Sequence, residues 1–127
     1  EFRARRYPTL GDLPSMPLSA TVGLHMPKLP ATIAKRVAEH ARKIPTSELN
    51  RWLQDVQRRR AVPSSRVGRV PKLYYVTQSG SRPPELTLFA NAPDRLSESY
   101  RRFLWLDFTD TFDFHGTPVR LKVRKSD

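Results

Sequence analysis

The chain has no cysteine, which excludes a disulfide framework, a thiolate nucleophile and a cysteine-bound metal, and suits a reducing compartment. It has no apolar run long enough to cross a bilayer, and no basic stretch followed by the apolar stretch of a secretory signal. Glycine is sparse at five residues, and none belongs to a G-x-x-x-x-G-K-[ST] loop, so the sequence contains no phosphate-cradling P-loop. The three histidines, His25, His40 and His115, have no metal-ligand spacing. Neither a zinc site nor a catalytic histidine is expected, and surface or capping roles suffice. Asp107, Asp110 and Asp113 recur at three-residue steps. That pattern is open to magnesium but better suits a solvated helix face, or ion pairs with Arg120, Lys122 or Arg124.

What is abundant is positive charge. Lysine and arginine number 23 against 12 aspartates and glutamates, a formal net charge of +11, and arginine heavily outnumbers lysine. A surface of this balance attracts polyanions, and nucleic acid is its simplest natural partner. The charge is also focused. Between Ser47 and Lys72, the basic residues Arg51, Arg58, Arg59, Arg60, Arg66, Arg69 and Lys72 are offset only by Glu48 and Asp55, whereas from Leu73 onward the signs nearly balance. Arginines at a helix C-terminus complement the dipole, but this run continues into the loop beyond it, which points to phosphate contacts.

The apolar pattern predicts one amphipathic helix from Ser97 to Phe114. Tyr100, Phe103, Leu104, Phe108, Thr111 and Phe112 share its apolar face, Ser97 is its N-cap, and Gly116 stands where it stops. Three runs around it, Lys72–Thr77, Glu85–Asn91 and Pro118–Lys125, predict strands. In the last, Val119, Leu121 and Val123 alternate with Arg120, Lys122 and Arg124. Gln78–Pro84 is a turn-rich loop, too long for a tight two-residue hairpin. Upstream, Ile33, Ala34, Val37, Ala38 and Ala41 predict a helix over Ala31–Lys43 that Pro45 ends. A further helix starts at Thr46 as cap, buries Leu49, Trp52, Leu53 and Val56, and closes on Arg58, Arg59 and Arg60. Glu1–Pro17 reads as a tail and Met16–Ala20 as a short strand before a turn at Gly23, with a boundary between two units near Ile44-Pro45. Tyr74, Tyr75 and Phe89 carry rings able to stack on bases, but one sheet face must cover the helices, which places most of them in the core.

Several of these segments carry a resemblance. Thr46–Asn50, Lys72–Gln78, Arg82–Pro84, Leu88–Asn91, Ser99–Leu104 and Phe112–Arg120 occur in this order, and the run from Ile44 to Lys125 resembles the C-terminal KH-like domain of the Der (EngA) family of ribosome-associated GTPases. Met16–Gly23 and the helix after it resemble the end of that family's second G domain. There Ser19-Ala20-Thr21 matches the fifth guanine-nucleotide motif, whose backbone helps recognise the base. Trp105, Asp107, Phe108 and Asp110 depart from the family's pattern, which marks the second half of that helix as specialised.

The resemblance implies an α+β fold: a KH-like αββαβ domain over 45–127, with two helices on one face of a three-stranded sheet, preceded at 1–44 by a remnant strand and helix of a P-loop G domain. It implies docking on large-subunit ribosomal RNA during ribosome assembly, in the bacterial cytoplasm or in the matrix of a mitochondrion or plastid. The expected partners are the large ribosomal subunit and the G domains of the same or another chain, with no membrane. GTP and magnesium belong to a complete parent GTPase. This chain, lacking both the P-loop and an N-K-x-D motif, is expected to be no enzyme and to hold no cofactor or metal, and Ser19, Ala20 and Thr21 would meet nucleotide only within a complete G domain. It also lacks the G-x-x-G loop with which KH domains clamp four nucleotides, so recognition by backbone shape is expected. The candidate RNA contacts are Arg58, Arg59, Arg60, Arg66, Arg69 and Lys72, with Arg120, Lys122, Arg124 and Lys125 as a second basic strip. Two other readings stay open: a protein-docking module that packs on G domains and reports nucleotide state, and a structural component of an organellar ribosome.

Overall fold

The computed structural model describes residues 15–64 and 68–126. Helix α1 spans Leu29–His40 and α2 spans Thr46–Arg59. Strands β1 (Leu73–Gly80) and β2 (Glu85–Ala90) follow, then α3 (Glu98–Thr111) and β3 (Arg120–Lys125). From α2 onward the order is αββαβ, as expected of a KH-like domain. The sheet order is β1-β2-β3, with β1 antiparallel and β3 parallel to β2. The parallel pair requires a crossover, and α3 supplies it.

Helix α2 forms where its pattern predicts, with Leu49, Trp52, Leu53 and Val56 all buried. Together with Tyr100, Leu104 and Phe108 of α3 they cover the inner face of the sheet, where Leu73, Val76, Leu86, Leu88 and Ala90 are buried. Each such aliphatic side chain removed from water contributes about 1.5–3 kcal/mol, which makes this layer the main source of stability. The rings lock it further: Trp52 meets Phe108 edge-on at 5.5 Å, and Phe108 stacks on Phe114 at 5.4 Å.

The structure corrects several local expectations. Thr46 is the first helical residue rather than the cap; Pro45 occupies the cap position without a side-chain hydrogen bond. Helix α1 ends at His40, before Pro45 can act. Gln78 of β1 reaches over to accept from the Ile44 N–H (2.8 Å) and donate to the Arg42 carbonyl (2.9 Å), holding that segment out of a helix. The same strand runs on to Gly80, leaving Ser81–Pro84 as the connecting turn. No strand forms over Met16–Ala20; Ser19 makes an isolated bridge to Leu24 around a turn. The expected tail lies almost wholly outside the described residues.

Helix α3 starts as its sequence predicts, with the Ser97 hydroxyl accepting from the Tyr100 N–H at 3.2 Å. Its end differs. Asp113 takes the left-handed conformation (φ 54°) and the Phe114 N–H bonds back to the Thr109 carbonyl at 2.9 Å, a Schellman-type stop ahead of Gly116. Stacking of Phe114 on Phe108 is the apolar contact that accompanies such a stop. On this helix Thr111 is exposed and Thr109 buried, the reverse of a stripe through Thr111.

Candidate nucleic-acid interface

Strand register decides which basic residues meet. Leu73, Ala90 and Lys125 pair side by side across the three strands, so Lys72 and Lys125 lie at the same end of the sheet, about 10 Å apart at two strand spacings. The backbone at that end is clamped: the Lys72 N–H donates to Asn91 Oδ1 at 2.8 Å, and the Asn91 N–H to the Lys72 carbonyl at 3.1 Å. Helix α2 also terminates toward this end, where Gln57 of its last turn and Val62 just beyond it line a groove with Lys72 and Leu73. The Tyr100 hydroxyl donates to the Arg60 carbonyl at 2.8 Å and fixes where that loop leaves. Arg60, Arg69 and Lys72 of the first basic group and Lys125 of the second strip therefore converge, while Arg120, paired with Glu85, starts the strip at the opposite end.

Not every candidate is available to a ligand. Arg59 forks onto Asp107, with Nη1 to Oδ2 at 2.7 Å and Nη2 to Oδ1 at 2.9 Å. The same carboxylate accepts from the Trp52 indole at 2.8 Å and from Thr111 at 3.3 Å. Hydrogen bonding to Arg59, aided by Trp52, holds Asp107 below the usual carboxylate range and raises Arg59. Lys122 pairs with Glu85 at 2.9 Å, and this bond with that from Ser79 lowers the Glu85 carboxyl. Arg58 makes a loose, exposed pair with Asp55 at 3.6 Å, worth little in solvent. Arg60 lies over the Phe103 ring at 4.6 Å. Among the described residues, no carboxylate lies within ion-pairing distance of Arg60, Arg69, Lys72, Arg120, Arg124 or Lys125. Arg66 lies outside the described residues.

The aspartates do not act as one face. Asp107 is tied to Arg59 and Asp110 approaches His115 at 3.5 Å, in place of the expected pairs with Arg120, Lys122 or Arg124; Asp113 turns the chain. Sequence reasoning missed Arg95. Its guanidinium lies against Gly68, where an added Cβ would come within 2.6 Å of Nη1, so it joins the loop that carries Arg69. No local pattern singles it out. The strand tyrosines do not take the expected core positions: Tyr74 is 48% and Tyr75 40% exposed. Tyr74 is an extra residue between Leu73↔Ala90 and Tyr75↔Phe89, a β-bulge that rotates its neighbours. It lines a shallow groove with Gln57, Val62, Val70 and Lys72. Far from these in sequence, Ser19, Ala20 and Thr21 form an exposed turn in which the Val22 N–H donates to Ser19 Oγ at 3.3 Å.

Element order, sheet and helix-covered face define an α+β domain of the KH-like class. Residues 43–124 match the family described as the KH-domain-like of EngA bacterial GTPase enzymes, C-terminal. The chain is 40% identical over 124 residues to the GTPase Der of Synechococcus sp. (strain JA-3-3Ab), covering 98% of this chain and 27% of that relative. It is 36% identical over 120 residues to the GTPase Der of Wolinella succinogenes, covering 94% of this chain and 25% of the relative. For the GTPase Der of Helicobacter hepaticus the identity is 37% over 124 residues, with 98% of this chain and 25% of the relative covered. The chain belongs to the Der/EngA family, and it spans about a quarter of the length of the curated relatives it matches.

Proposed function

We propose that this chain is the part of a Der-type GTPase that docks on large-subunit ribosomal RNA during ribosome assembly, with hydrolysis carried out elsewhere in a longer protein. The observation that carries this reading is the convergence of Arg60, Arg69, Lys72 and Lys125, none ion-paired among the described residues, on one end of the domain. Such a cluster suits backbone phosphates, and with no G-x-x-G loop it fits RNA by shape more than by base identity. GTP and magnesium would bind in the parent's complete G domains, where Ser19, Ala20 and Thr21 would lie near the base. On this reading residues 1–44 are the end of a G domain and 45–127 the RNA-docking unit, working in a bacterial cytoplasm or an organelle matrix.

The test is RNA affinity measured against salt. Combined Arg58→Gln, Arg60→Gln, Arg69→Gln and Lys72→Gln should weaken binding of ribosomal RNA fragments broadly and flatten the salt dependence, by about 0.7–0.9 in log–log slope for each phosphate no longer neutralised. An unchanged slope would show that the phosphates sit elsewhere.

A second reading has its own observation. Ile33 and Val37 of α1 are exposed and, with Thr32, Thr117 and Pro118, line an apolar groove between α1 and the α3–β3 connection. This surface supports packing of the domain on a G domain, in addition to RNA docking. If so, a longer parent protein should protect α1 amides from exchange that are unprotected in this chain.

A further inference from the structure

The helices cover one face of the sheet; the other carries Tyr75, Thr77, Thr87, Phe89, Arg120, Lys122 and Arg124. Register arranges it in rows. Tyr75 pairs with Phe89 and Phe89 with Arg124, so two rings and a guanidinium-bearing side chain lie side by side across the three strands. The two rings stack, with centroids 4.4 Å apart and planes 20° from parallel. In the next row Thr77 pairs with Thr87 and Thr87 with Lys122. The acid described on this face, Glu85, is already engaged by Lys122 and Ser79.

We propose that the Tyr75–Phe89–Arg124 row is a stacking platform for an unpaired RNA base, with Arg124 meeting the backbone phosphate beside it. This deepens the RNA-docking reading above and rests on it. A ring that is 40% exposed in a folded domain leaves apolar surface that a flat base can cover. Its partner Phe89 holds it in place, so little side-chain freedom is lost on binding. The charge of the face favours nucleic acid over a protein surface, because among the described residues Arg120, Lys122 and Arg124 stand against one acid, Glu85. An unpaired strand is required, since bases within a duplex are already stacked on their neighbours. The row ends where Lys72 and Lys125 begin, so one strand can touch both the rings and the basic cluster.

The test uses the full 127-residue chain, a short fluorescent oligo(A) strand and an RNA duplex, at one fixed salt concentration. Tyr75→Ser should weaken single-strand binding about tenfold and leave the duplex unchanged, while Tyr75→Phe retains the affinity of the parent chain. Tyr75→Leu, which keeps bulk but removes the π face, should behave as Tyr75→Ser does, and it serves if the serine variant fails to fold. An unchanged single-strand affinity in Tyr75→Leu overturns the platform and leaves the open face to a protein partner. An equal loss for strand and duplex also overturns it. Absence of binding to either RNA by the parent chain overturns the docking reading itself, and the platform with it.

Discussion

Helices α1 and α2 lie next to each other in sequence, are similar in length and both carry apolar residues at helical spacing, yet they have opposite fates. Every apolar residue of the α2 stripe is buried, whereas α1 buries none, leaving Ile33 54% and Val37 61% exposed. The difference teaches what periodicity means. A stripe at helical spacing reports that a face requires a partner, not that the partner is present. For α2 the partners are the sheet and α3. For α1 the ties among the described residues are a few side-chain anchors: Arg36 donates to the His115 carbonyl at 3.4 Å, and just beyond the helix Arg42 lies over Phe114. A chain that covers about a quarter of its relatives' length is where such an unmatched face is expected.

The sharpest contrast should appear in α2. Leu53→Ala empties a site that is 2% exposed and should cost about 2–5 kcal/mol, read as a lowered urea midpoint at constant m-value. A loss under about 1 kcal/mol would mean that the α2 interface is far looser than its burial indicates.

A smaller effect is expected at Asp107, the polar tie between α2 and α3. Asp107→Asn removes the Arg59 fork and leaves the Trp52 indole with a weaker acceptor, for a loss of about 1–3 kcal/mol near neutral pH. The pH dependence has a definite sign. The folded carboxyl is held below its ordinary value, so its stabilisation is complete above about pH 3.9, the unfolded aspartate value, and is lost as pH falls through the folded value. The difference in unfolding free energy between parent and Asp107→Asn should therefore shrink under acid. A difference that persists or grows there would mean that the carboxylate charge is not what joins the two helices.

How much of this was legible depended on whether the determining partner was local. Leu49, Trp52, Leu53 and Val56 announce α2, and Ser97 announces the start of α3, because spacing and capping are properties of neighbours. The Arg–Lys alternation of β3 likewise pointed its cations to one face. What failed depended on remote contacts. Gln78 holds Arg42–Ile44 out of a helix from the first strand, Asp107 captures Arg59 from the other helix, and the bulge at Tyr74 exists only in the pairing with β2. Alternation in β2 could have exposed Phe89, since Leu86, Leu88 and Ala90 form the inner set; the preference for buried aromatics outweighed it. Within the candidate site the cations were readable as a composition, but their convergence needed the register.

The smallest expected effect tests α1 directly. Ile33→Ser with Val37→Ser replaces side chains that are already mostly in water, so the urea unfolding free energy of this chain should change by no more than about 0.5 kcal/mol. Serine differs from isoleucine and valine in helix propensity only at the level of tenths, so propensity does not obscure the result. The same pair introduced into a protein of the relatives' full length should cost several times more if a G domain closes over the groove beside Thr117 and Pro118, because each side chain then forfeits about 1.5–3 kcal/mol of burial. Equal, small losses in both proteins would break the comparison, leaving α1 as a linker helix with an apolar face that nothing covers. A large loss already in this chain would break it the other way, since α1 would then have found a partner in solution, and its exposed stripe would be no more unmatched than that of α2.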